Sequence, residues 1–139
     1  MKLITRDTDY ALRALCYIGR RGKAAVVPAG ELAKNLNIPR PFLRKLLQIL
    51  TRRKFLVSFK GSGGGFSLCR DPERVSVADI MRIFQGRMSL NVCLTAKRAC
   101  PDRRLCVLRE KIVQLQVYVE NELRAVTLAE LMGRAINAG

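Results

Sequence analysis

The chain has 139 residues, 49% of them hydrophobic, with a formal net charge of +15 and a pI near 10.5. That length fits one domain, or a small domain with an extension, and the apolar content excludes global disorder. Histidine is absent, which excludes Ser–His or Cys–His catalysis within the chain and removes the commonest zinc partner of cysteine.

After a short basic lead, residues 1–6, the apolar residues Leu12, Leu15, Cys16 and Ile18 fall at helical spacing. They predict a first helix from Thr8 to Arg20, capped by Asp7 or Thr8 and ended by Gly19 or Gly22. Asp9 then lies in the first turn, where a carboxylate suits the helix dipole. Pro28 opens a second helix whose stripe is Leu32, Ala33 and Leu36, and Asn37-Ile38-Pro39 breaks it. The third helix is expected from Arg40 to about Arg53, with Leu43, Leu46, Leu47 and Leu50 facing inward. Pro41, Arg44, Lys45, Gln48 and Arg52 share its outer side, with Arg40 at its start.

Leu56–Lys60 and Phe66–Cys69 are rich in β-formers and flank Gly61-Ser62-Gly63-Gly64-Gly65. No Gly-Lys-Ser/Thr follows, and the loop leads into a strand instead of a helix, so it is not a nucleotide loop. It reads as a wing whose tip approaches a groove, with Lys60 and Ser62 as contacts. Between Glu31 and Asp71 there is no acidic residue, while nine Lys or Arg fall in that interval. A solvated face would explain a lone amphipathic helix; the acid-free setting and the hairpin turn the reading toward DNA. Arg pairs with guanine O6 and N7, Gln with adenine N6 and N7, and Lys neutralises phosphate.

Ser76 is expected to cap a short helix, Val77 to Phe84, ending at Gly86. Farther on, Leu105, Leu108, Ile112, Leu115, Val119 and Leu123 repeat at spacings of three and four, a long amphipathic helix with Val113 and Val117 widening its stripe. So small a domain has no surface to bury that whole stripe, so a second copy is expected to pair along Leu108, Ile112, Leu115, Val119 and Leu123. Thr127-Leu128-Ala129-Glu130 is a capping box opening a last helix to about Ala138. The fold class expected is mainly α with a small β-hairpin wing. It divides into a winged helix-turn-helix domain (1–84), a cysteine loop (85–106), and a dimerisation helix with a C-terminal helix (107–139).

No stretch resembles a signal peptide or approaches the ~20 apolar residues of a spanning helix, so the chain is expected in the cytoplasm, away from membranes. In that compartment its five cysteines are not expected to pair as structural disulfides. Cys16 reads as core packing, and Cys69 lies at a strand end. Cys93, Cys100 and Cys106 fall in a short polar loop among Lys97, Arg98, Arg103 and Arg104, cations that favour thiolates. Grouped thiolates suit zinc or an iron–sulfur cluster, although the close Cys-x-x-Cys pair of zinc sites is missing. A metal-free thiol switch stays open.

The chain resembles the Rrf-two family of bacterial winged-helix regulators, with its IscR-like and NsrR-like iron–sulfur members. The resemblance rests on the opening MKLITRDTDYALRAL, the helix-turn-helix from Glu31 to Leu50, the wing Lys60–Phe66, the three-cysteine loop and Val126–Leu131. It implies a homodimer that binds a pseudo-palindromic double-stranded operator through the third helix and wing. It also implies an iron–sulfur cluster, 2Fe–2S or 4Fe–4S, on Cys93, Cys100 and Cys106. The fourth ligand of IscR-like members is a histidine, which this chain lacks; the NsrR-like position for a carboxylate ligand from the partner falls on Asp9. The function expected is a transcriptional regulator, in repressor mode, whose cluster senses nitric oxide, redox or iron status. The rivals are a metal-free winged-helix regulator answering a small molecule or protein, and a basic adaptor with a zinc clip. An enzyme is not expected.

Overall fold

Helix α1 (Arg6–Arg20) begins on Thr5, whose side chain accepts the Thr8 N–H at 3.4 Å in the computed structural model, which describes residues 2–90 and 106–138. The cap is therefore neither Asp7 nor Thr8, and the helix starts before the expected Thr8. The reason lies eighty residues away. Gln85 Oε1 accepts the Thr8 hydroxyl at 2.7 Å and the Thr5 N–H at 3.0 Å, while its Nε2 donates to the Leu3 carbonyl at 3.0 Å. With that partner Thr8 is satisfied inside the helix and fully buried, leaving Thr5 to cap.

Helix α2 (Ala29–Leu36) starts on Pro28 and stops at Asn37, a left-handed residue with φ of 53°, a conformation asparagine tolerates. Helix α3 (Arg40–Arg52) buries Leu43, Leu46, Leu47 and Leu50, the inward face expected from their spacing. These pack with Ala11, Leu15 and Ile18 of α1 and with Val27 in one core. Strand β1 (Leu56–Phe59) pairs antiparallel with β2 (Gly65–Leu68), Leu56 opposite Leu68 and Phe59 opposite Gly65.

Two fastenings set the angle between α3 and this hairpin. Val27 and Phe66 exchange backbone hydrogen bonds of 2.8 and 2.9 Å, tying β2 to the connection before α2. Gly65 makes this approach possible, since a Cβ there would run into the Val27 carbonyl. Arg70 closes the other side. Its guanidinium stacks 3.9 Å over the Phe55 ring and donates to the carbonyls of Lys54 and Arg53 at 3.0 and 3.1 Å. Carbonyls at the end of α3 thereby gain the donors that the helix itself lacks.

A 3-10 turn at Pro72–Arg74, not anticipated from sequence, leads to α4 (Val77–Gln85). Ser76 and Asp79 form a full capping box at its start. Helix α5 (Val107–Ala125) is followed by α6 (Leu128–Ala138), with the expected box between Thr127 and Glu130. The chain then returns to the head. Val77 N–H donates to Val126 O and Leu128 N–H to Val75 O, each at 2.9 Å, and Leu128 is fully buried in the core. Within the segment expected as 107–139, Leu128, Leu131 and Met132 thus join the core of the head. No described helix is long and apolar enough to cross a membrane.

Candidate nucleic-acid interface and cysteine site

The buried leucines of α3 turn its other face outward, and Arg40, Pro41, Arg44, Lys45, Gln48 and Arg52 are all exposed. A cleft of about 760 Å³ separates this face from the wing, with Arg40, Arg44, Gln48 and Arg52 on one wall and Ser58, Phe59 and Lys60 on the other. Pro41 and Lys45 join Arg40, Arg44 and Gln48 around an adjoining depression of about 510 Å³. Ser62 is exposed at the wing tip, outside both linings. The ion pairs among the described residues are Arg13–Asp9 and Arg21–Glu31. Neither pair involves α3 or Lys60, so among the described residues no carboxylate is seen to neutralise these cations, and their field adds over the cleft. A basic helix beside a basic hairpin is an arrangement that can offer guanidinium and amide donors to base edges and ammonium groups to phosphates.

Sequence reasoning missed Phe59, 49% exposed on the wing wall. Only Leu56 of β1 is buried and the rest of the strand is exposed, so the sequence pattern carried no signal that singles Phe59 out. It missed Gln85 as well, and a lone glutamine at a helix end carries no signal for a contact so distant in sequence.

Of the expected cluster ligands, Cys93 and Cys100 lie outside the described residues. Cys106 is half-buried and is the N-cap of α5, its sulfur accepting the Arg109 N–H at 3.4 Å. The positive end of a 19-residue helix is a favourable place for a negatively charged sulfur. Arg109 adds a second feature: its Nε is buried and has no hydrogen-bond partner. Both features fit an anionic group held at Cys106. Asp9 is half-exposed and bound to Arg13 at 3.1 Å across one helical turn. Among the described residues no three His, Cys, Asp or Glu side chains gather as a metal site. Cys16 packs in the core as expected, and burial pushes its thiol up against the smaller opposing pull of Arg20. Cys69 is exposed and its sulfur donates to the Lys54 carbonyl at 3.0 Å.

The apolar stripe of α5 divides in place. Leu123 packs on the chain's own core and Ile112 and Val119 are half-buried, while Leu108, Leu115 and Tyr118 are 67%, 57% and 64% exposed. Leu123 is partly buried against its own core, where α5 packs along α4.

A trihelical head with a basic recognition helix and a glycine-tipped hairpin defines a winged helix-turn-helix DNA-binding protein. A family model described as "Iron-dependent Transcriptional regulator", Rrf2, matches residues 4–134, and the chain belongs to that family. It is 32% identical over 133 residues to a putative HTH-type transcriptional regulator of Aquifex aeolicus, covering 94% of this chain and 92% of that one. It is 26% identical to the HTH-type transcriptional regulator NsrR of Bacillus subtilis, covering 95% and 90%. A solved structure of CymR, titled the global cysteine regulator of B. subtilis, superposes with a TM-score of 0.82 at 21% identity, covering 96% of this chain and 98% of that one. The chain is a DNA-binding transcriptional regulator and not an enzyme, as its relatives are.

Proposed function

We propose that the protein is a cytoplasmic, homodimeric repressor whose grip on a pseudo-palindromic operator depends on an iron–sulfur cluster. The observation that carries the DNA half is the row of unpaired cations on α3 facing Lys60 across a cleft. The cluster half is supported by Cys106 capping α5 beside a buried, partnerless guanidinium nitrogen, together with the likeness to a protein named NsrR. Cys93, Cys100 and Cys106 would hold the cluster, and Asp9 of the partner subunit would complete it after leaving Arg13. When bound, the cluster supplies a centre that nitric oxide, oxygen or iron shortage dismantles.

The chain's own residues provide the coupling. Gln85 clamps the first turn of α1 to the last turn of α4, and the cysteine loop begins just beyond. Tension on that loop is therefore carried into α1 and through the shared core to α3. The exposed Leu108, Leu115 and Tyr118 supply the twofold contact. A tenfold change in operator affinity requires only ~1.4 kcal/mol of difference between the two states.

Purification without oxygen tests the reading. Brown protein with iron and sulfide bound in equal amounts is expected; colourless protein carrying zinc would establish the adaptor with a clip, and colourless metal-free protein a regulator of another kind. Asp9→Ala should change the visible spectrum and shorten the cluster's lifetime. Identical spectra and lifetime would remove Asp9 from the site.

A further inference from the structure

Buried polar side-chain atoms in a folded protein almost always have a partner, and an exception asks for a missing acceptor. Among the described residues the single exception is Nε of Arg109. Its position is specific. Cys106 is the N-cap of α5 and Arg109 its third residue, the place from which a side chain turns back toward the cap, as Glu130 does toward Thr127 in α6. The backbone N–H of the same residue already reaches the Cys106 sulfur. Residue 109 therefore carries two donors in the first turn of the helix, one engaged by the cap and one without an acceptor among the described residues. A buried guanidinium N–H left without an acceptor is costly, so it is retained where an anionic acceptor offsets it.

We infer that Arg109 is a positioning residue for the cluster: its Nε–H, which the Cys106 sulfur does not satisfy, would donate to a sulfide of the cluster, and its charge would offset the negative charge of the thiolates and sulfides. This rests on the cluster reading above and assigns a residue outside the ligand set. Arg109 would set how firmly the cluster is held and how readily it accepts an electron, since a neighbouring cation favours the more negative, reduced form.

The full chain, loaded with iron and sulfide without oxygen, is compared with Arg109→Gln and Arg109→Lys. Readouts are visible circular dichroism, reduction potential, the rate at which a chelator strips iron, and the dimer fraction by sedimentation. Arg109→Gln should load iron as the wild type does, yet lose it about tenfold faster, the equivalent of about 1.4 kcal/mol. Its potential should fall and its visible dichroism change. Arg109→Lys, keeping the charge without the planar fork, should recover most of the potential and only part of the dichroism. Equal stripping rates and potentials in all three proteins would overturn the inference. So would an unaltered cluster in Arg109→Gln accompanied by loss of the dimer, which would assign the donor to the subunit contact. Wild type that binds no iron overturns the cluster reading and this inference together, whereas a loaded wild type with indifferent variants removes Arg109 alone.

Discussion

Arg44 separates reading of a sequence from mere attraction to phosphate. It is exposed and lines both depressions of the DNA face. It has no ion pair among the described residues. Truncation to alanine thus removes nothing the free fold uses, and unfolding free energy should stay within about 0.5 kcal/mol of the wild type. On the operator the loss should be larger, about 1–3 kcal/mol per half-site if the guanidinium bridges guanine O6 and N7, or about 5- to 150-fold. Random DNA offers no fixed guanine, so binding there should fall much less and the specificity ratio should shrink. The slope of log affinity against log salt should barely move, because a base contact releases no counterion, whereas Lys60→Ala should reduce that slope by about 0.9 for each phosphate that Lys60 neutralises. Fluorescence anisotropy on operator and scrambled duplexes at several salt concentrations measures all three quantities. Equal losses for Arg44→Ala on both duplexes, with a slope reduced by about one, would refute base reading and make Arg44 a phosphate contact.

Gln85→Leu strips the acceptor from Thr5 N–H and from the buried Thr8 hydroxyl, and should cost about 1–3 kcal/mol in urea unfolding. Thr8→Val combined with Gln85→Leu should cost less than the sum of the singles, and strict additivity would mean the clamp is not one unit. Leu115→Glu places a charge on the exposed face of α5 and should yield folded monomers by sedimentation; an unchanged dimer would move the contact elsewhere. Burial raises the Cys16 thiol above its ordinary 9.0. The folded state therefore keeps that proton longer than the unfolded chain does, and stability falls as pH rises above 9.0. The wild type should lose stability relative to Cys16→Ala in that range, and parallel curves would show that the folded thiol titrates as the unfolded one does, with no effect of burial.

Where helical or alternating spacing met a single core, the sequence carried the structure. Leu43, Leu46, Leu47 and Leu50 are buried as their periodicity implies, and the opposite face emerges basic and exposed. The wing was legible because glycine has few uses at that density, and Gly65 does face a backbone carbonyl. Contacts between residues distant in the chain were not legible. Thr8 carries the composition of a cap and is buried only because Gln85 meets it from α4. The stripe of α5 gave one face by spacing, but two surfaces divide it, since α5 lies along α4 with Leu123 against the core and Leu115 exposed. Arg109 gave no sign at all: a charged residue in a helix reads as solvated until its surroundings close over Nε.

The most direct measurement is the dissociation constant for one operator duplex, at fixed salt and without oxygen, of the same preparation before and after its iron is removed. Coupling of cluster to reading head requires the loaded protein to bind at least tenfold more tightly, with both forms equally folded and random DNA bound alike. Equal constants for the two forms would contradict it, leaving a basic winged helix whose hold on DNA owes nothing to its cysteines.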